Sequence, residues 1–281
     1  MEGRGSGPSG DALGEGDAER RRVVPTLPLP TADVILSHLR RDARIPEGTM
    51  RYLGLIGGMS WESTAEYYRL LNRIVAERCG GLHSAPLLLH SFDFTGIAEL
   101  QVAGDWARAG AVLADAAAGL ERAGAEAIVL CANTMHHVAP AVEAAVSVPL
   151  LHIVDVTAAA LARAGVRRAG LIGTRYTMEL PFWRERAAER AGVDVVVPDA
   201  ADRALVHRVI YEELVLGRIE PSSRAAYVDV IDRLRAAGAE AVVLGCTEIT
   251  LLIGADDSPL PVFDTTALHA AAAAAFIMGV P

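Results

Sequence analysis

The chain has 281 residues, enough for one large domain or two small ones with a substantial core. A formal charge of −9, with no arginine-rich stripe, argues against a nucleic-acid partner. All 26 basic residues are arginine, so no lysine exists to hold pyridoxal phosphate as a Schiff base. The three cysteines show no CxxC spacing, which argues against a secreted disulfide framework. The apolar tail 268–280 is too short to span a bilayer and carries His269 within it. No signal peptide is read at the start, and the expected location is cytoplasmic, with no membrane partner.

Residues 1–49 are rich in Gly, Ser, Pro and charge and predict a disordered N-terminal extension. A dispensable leader is expected, because Met50 directly precedes the first core strand. From there strand and helix alternate. Strands are predicted at 52–56, 85–92 and 126–130, with helices at 63–78, 106–123 and 137–145. Residues 149–153 are expected to be extended. The second half repeats the scheme, with strands at 169–172, 193–197 and 240–244 and helices at 178–191, 203–216 and 224–237. Extended 261–263 and a helix over 266–278 close the chain. Such alternation predicts an α/β fold of parallel sheets covered by helices.

The halves resemble each other. Gly124-Ala125-Glu126-Ala127-Ile128-Val129-Leu130-Cys131 parallels Gly238-Ala239-Glu240-Ala241-Val242-Val243-Leu244-Gly245-Cys246, 114 residues later. Gly54-Leu55-Ile56-Gly57-Gly58 parallels Gly170-Leu171-Ile172-Gly173-Thr174, 116 residues later. Ordered matches at nearly one offset indicate a duplicated unit. Each cysteine is read at a strand tip, where open α/β sheets hold ligands. A buried cysteine is commonly a small apolar filler. Two in matched positions, each before a helix start that favours thiolate, point instead to a paired acid and base. Cys79 has no such setting. Cys131, His136, His137 and Cys246 have zinc-ligand chemistry but no known spacing, so no metal is expected. Gly57 and Gly58 are read as letting the backbone approach a ligand, with an anion at the following helix start. Arg175, after the equivalent second-half strand, is either a carboxylate-binding group or a surface side chain on a capping turn.

Residues 50–278 resemble the aspartate/glutamate racemase family of cofactor-independent amino-acid racemases. The resemblance rests on Leu55-Ile56-Gly57-Gly58-Met59-Ser60, Leu130-Cys131-Ala132-Asn133-Thr134-Met135-His136 and Gly245-Cys246-Thr247-Glu248-Ile249. Trp61-Glu62-Ser63-Thr64 and Gly81-Leu82-His83-Ser84-Ala85 look most like the broad-specificity branch. The resemblance implies two pseudo-symmetric lobes with the active site between them. The expected layout is a first lobe at 50–150, a second at 151–264, and a C-terminal helix at 265–281 packing back on the first. It also implies that Cys131 and Cys246 are the two catalytic thiols. Two departures weaken strict aspartate specificity. Ser60-Trp61 stands where aspartate racemases usually have Gly-Pro, and Ala132 separates the first cysteine from Asn133.

The expected activity is therefore racemisation of a free amino acid without cofactor, one thiol removing the Cα proton and the other protonating the opposite face. Gly57, Gly58, Met59, Ser60, Asn133, Thr134, Arg175 and Thr247 are candidate substrate contacts, and Glu248 a partner for the ammonium group. A homodimer is expected from lookalike proteins. The other readings are a cysteine-dependent isomerase or decarboxylase of small diacids, and a non-catalytic amino-acid-binding protein.

Overall fold

The computed structural model describes residues 50–280, and the expected N-terminal extension lies outside them. The first sheet holds β1 (Leu53–Gly57), β2 (Leu87–Ser91) and β3 (Ala127–Leu130), all parallel, in the order β2-β1-β3. A parallel bridge from Ile128 to Leu150 extends it beyond β3. The second sheet holds β4 (Arg168–Gly173), β5 (Asp194–Val196), β6 (Ala241–Gly245) and β7 (Val262–Asp264), parallel in the order β5-β4-β6-β7. The two sheets thus share one plan. Their central strands are buried apolar runs because helices cover both faces.

Helices α1 (Trp61–Cys79), α2 (Phe94–Ala103), α3 (Trp106–Arg122) and α4 (Ala139–Ala145) belong to the first half. The second half has α5 (Ile153–Arg163), α6 (Arg175–Glu179), α7 (Phe182–Ala191), α8 (Ala200–Glu212) and α9 (Pro221–Ala236). Helix α10 (Thr265–Ile277) ends the fold. Its Ala270, Ala274 and Ile277 share a core with Leu53, Leu55 and Tyr67 of the first lobe, while Leu268 joins the core of the second.

Several helices differ from the sequence expectation. Helix α2 lies where the sequence predicts no element; Asp93 caps it by accepting from the N–H of Thr95, and Gly104 closes it in a left-handed conformation. Helix α5 begins at Ile153, where an extended segment was expected, because the His152 ring accepts from the N–H of Val154 and starts the helix. The single helix expected over 178–191 is two, broken at Leu180-Pro181, where proline disfavours helix in the residue before it. Asp199 starts α8 three residues earlier than expected.

Candidate active site between the two lobes

Every segment at the site follows the C-terminal end of a parallel strand. Strand β6 delivers Gly245 and then Cys246, followed by a 3₁₀ turn, Thr247–Leu251. The Cys246 thiol donates to Glu248 Oε2 at 2.9 Å. Burial, then the negative charge of Glu248 and this bond, hold the thiol well above its ordinary pKa. Tyr211, from α8, is pushed up to about 12 by burial and then by Cys246.

Opposite stands the start of α1. Ser60 caps it, accepting from the N–H of Ser63 at 3.2 Å. Its hydroxyl reaches across the lobes to Glu248 Oε1 at 3.1 Å, and the Ser63 hydroxyl donates to Thr247 Oγ1 at 3.0 Å. A second cross-lobe cluster mirrors this one. Thr134 Oγ1 lies 3.0 Å from both Thr174 Oγ1, the cap of α6, and Thr177 Oγ1. Ser60 and Thr174, Ser63 and Thr177, and Thr134 and Glu248 are each 114 residues apart. The two-fold repeat is therefore visible in the hydrogen bonds themselves.

Between these clusters is a cleft of about 560 Å³, its open mouth included. Of the expected site residues, Met59, Ser60, Asn133, Thr134, Cys246, Thr247 and Glu248 line it. Asn133 is committed elsewhere: its amide donates to Thr265 Oγ1 at 2.9 Å, and its carbonyl accepts from Trp183 Nε1 at 3.3 Å. Ser63, Gln101 and Tyr211, outside the expected set, also line the cleft. Ser63 was legible as the third residue after a capping serine. Tyr211 carried no local signal.

Four expected residues are not on the cleft wall. Gly57 and Gly58 make their close approaches to protein. A Cβ on Gly57 would meet Thr64, and one on Gly58, at φ +79°, would lie 2.2 Å from the Phe92 carbonyl oxygen. The N–H of Gly58 is already taken by Thr64 Oγ1 at 2.9 Å. Arg175 is exposed, folded over the Tyr176 ring and bonded to its hydroxyl at 3.2 Å. The fourth is Cys131, which is fully buried in the core shared with Tyr67, Val129 and Ala271. Burial raises its thiol pKa. The next residue, Ala132, faces the cleft instead. Ala132 is held by His136, whose Nδ1 donates to the Ala132 carbonyl at 2.8 Å while Nε2 accepts from the N–H of Ile153 at 3.2 Å. Burial first, then His152 and His269, keeps His136 neutral, as this double role requires.

The profile of the Asp/Glu/hydantoin racemase family matches residues 56–273. The chain belongs to that family. The racemase is 54% identical to a Yersinia pestis protein assigned to the Asp/Glu racemases, over 81% of this chain and 99% of that one, with a TM-score of 0.77. An aspartate racemase homologue from Pyrococcus horikoshii OT3 is 34% identical over 79% and 96% of the two chains, with a TM-score of 0.69. The broad-specificity amino-acid racemase RacX of Bacillus subtilis is 21% identical over 76% of this chain and 93% of its own. The racemase is thus an isomerase with the two-lobed fold of its relatives. Among its described residues, no helix is long and apolar enough to cross a membrane.

Proposed function

We propose that the protein racemises a free amino acid with a neutral side chain, without a cofactor, by proton transfer at Cα through Cys246. The observation that carries this is the Cys246–Glu248 pair, a thiol hydrogen-bonded to a carboxylate in a cleft between the lobes. Glu248 accepts the thiol proton, and the thiolate takes the Cα proton of the bound amino acid. The start of α1, with its positive end and the Ser60 and Ser63 hydroxyls, is the seat for the substrate carboxylate. Glu248 is the partner for the ammonium group. The cleft is lined by one carboxylate and no arginine, so a second carboxylate on the substrate has no cation to meet. This favours neutral side chains over aspartate.

The test is a panel of L- and D-amino acids incubated with protein in the absence of pyridoxal phosphate and resolved by chiral chromatography. Inversion of neutral amino acids ahead of aspartate is expected. Cys246→Ser, whose hydroxyl ionises far above a thiol, should lower the rate at least 100-fold. Carbon dioxide release from a small diacid would favour the decarboxylase reading. Failure to invert any amino acid, or to exchange its Cα proton, would defeat the proposal.

A further inference from the structure

We infer that proton transfer in this cleft is one-sided, with Cys246 its only thiol and Ala132 in the place of a second. The inference rests on the racemase reading above and changes how inversion must occur.

Strand pairing fixes the equivalence. Ile56 of β1 pairs with Leu130 of β3, and Ile172 of β4 pairs with Leu244 of β6. Counting two residues on from each leucine arrives at Ala132 in the first lobe and Cys246 in the second. Cys131 therefore matches Gly245, not Cys246. Exposure agrees: Cys131 and Gly245 are buried, whereas Ala132 and Cys246 are partly open, and Ala132 and Cys246 line the cleft while Cys131 does not. Successive residues along a strand face opposite sides, so a shift of one residue takes a side chain off the site. The hydrogen-bond clusters give the same register independently. Thr134 contacts the cap of α6 as Glu248 contacts the cap of α1. The second-lobe pair Cys246–Glu248 thus has as its first-lobe counterpart Ala132–Thr134.

The rest of the first-lobe wall is built from serine, threonine, asparagine, glutamine, methionine and phenylalanine side chains. None of these exchanges protons near neutral pH. Every titratable group lining the cleft, namely Cys246, Glu248 and Tyr211, comes from the second lobe.

The consequence is kinetic. The Cys246 thiolate takes the Cα proton of the enantiomer whose C–H bond faces the second lobe. The C–H electron pair passes into the carboxylate as an enediolate, and an S–H bond forms. Glu248 relays that proton to solvent, and return of a solvent proton through sulfur regenerates the same enantiomer. Inversion needs a proton from the Ala132 side, where water is the donor; the hydroxide left behind takes the proton released through Cys246. Exchange with retention therefore outruns inversion for one enantiomer only. The other loses its Cα proton no faster than it inverts.

The test incubates each enantiomer of a neutral amino acid separately in heavy water, reading Cα proton loss by NMR and inversion by chiral chromatography. One enantiomer should exchange at least tenfold faster than it inverts, and the other at an equal rate. Ala132→Cys should raise inversion at least tenfold. Solvent label confined to the product from both enantiomers of the unaltered protein would overturn the inference. So would an Ala132→Cys protein whose new thiol alkylates but whose inversion is unchanged. Alkylation of the folded protein by iodoacetamide, mapped by mass spectrometry, gives a separate reading. It should modify Cys246 and spare Cys131, and modification of Cys131 at a comparable rate would overturn the one-thiol assignment. If no amino acid exchanges or inverts, the racemase reading fails while the alkylation map still decides whether the cleft holds one thiol.

Discussion

Replacing Cys131 by alanine separates a packing thiol from a proton-transferring one. The sulfur is fully buried in the wall formed by Tyr67, Val129 and the α10 alanines. Removing one buried heavy atom costs about 1 to 1.5 kcal/mol, from lost transfer energy and a small residual cavity. For a chain of this size that lowers Tm by roughly 2–3 °C. Cys131→Ser buries a hydroxyl in a largely apolar wall and should cost more, about 1–3 kcal/mol. The racemisation rate of Cys131→Ala should stay within about twofold of the unaltered protein, whereas loss of a general acid or base costs roughly 100- to 10,000-fold. Scanning calorimetry gives the Tm, and chiral chromatography at saturating substrate gives the rate. A Cys131→Ala protein with Tm within these limits but a rate down more than 100-fold would refute the assignment of Cys131 to the core.

Glu248→Gln removes the charge that, after burial, raises the Cys246 thiol. The pH midpoint for iodoacetamide modification of Cys246 should move down, and an unchanged or higher midpoint would mean that Glu248 does not act on the sulfur. Stability should fall as the solution is acidified from pH 6.5 to about 4, followed as Tm by calorimetry. His269 is buried neutral, accepting from Tyr67 and donating to Leu151, and its pKa is lowered to about 4. In that window the unfolded chain binds a proton that the folded one does not, so stability is present above the unfolded value and lost below it, by about 3 kcal/mol from this residue. His136 and His152, lowered by burial and by neighbouring charge, act in the same direction. A flat Tm from pH 7 to 4 would contradict that account.

The sequence alone determined the strand–helix alternation, the duplicated unit, and the strand tip from which Cys246, Thr247 and Glu248 line the cleft. Those features are local: apolar runs ended by glycine and polar residues specify buried strands and their tips wherever they are packed. Helix α2 escapes the sequence reading because the Asp93 cap, not a polar–apolar period, marks it, and α5 because its start is a His152 ring acting as cap. Arg175 takes the surface reading, and the Gly57-Gly58 pair packs on protein instead of the cleft, because their neighbours, Tyr176, Thr64 and Phe92, are met only on folding. The choice between Cys131 and Ala132 was the most consequential. Both lie within one residue of the position opposite Cys246, and an alignment that pairs the two cysteines needs a gap of one residue. Only the tertiary structure decided against the gap, through the bond from the Cys131 N–H to the Ile56 carbonyl and the matching Gly173–Gly245 pairing in the other sheet. Sheet hydrogen bonds fix register, register fixes which face each side chain takes, and a shift of one residue takes a thiol from the cleft into the core.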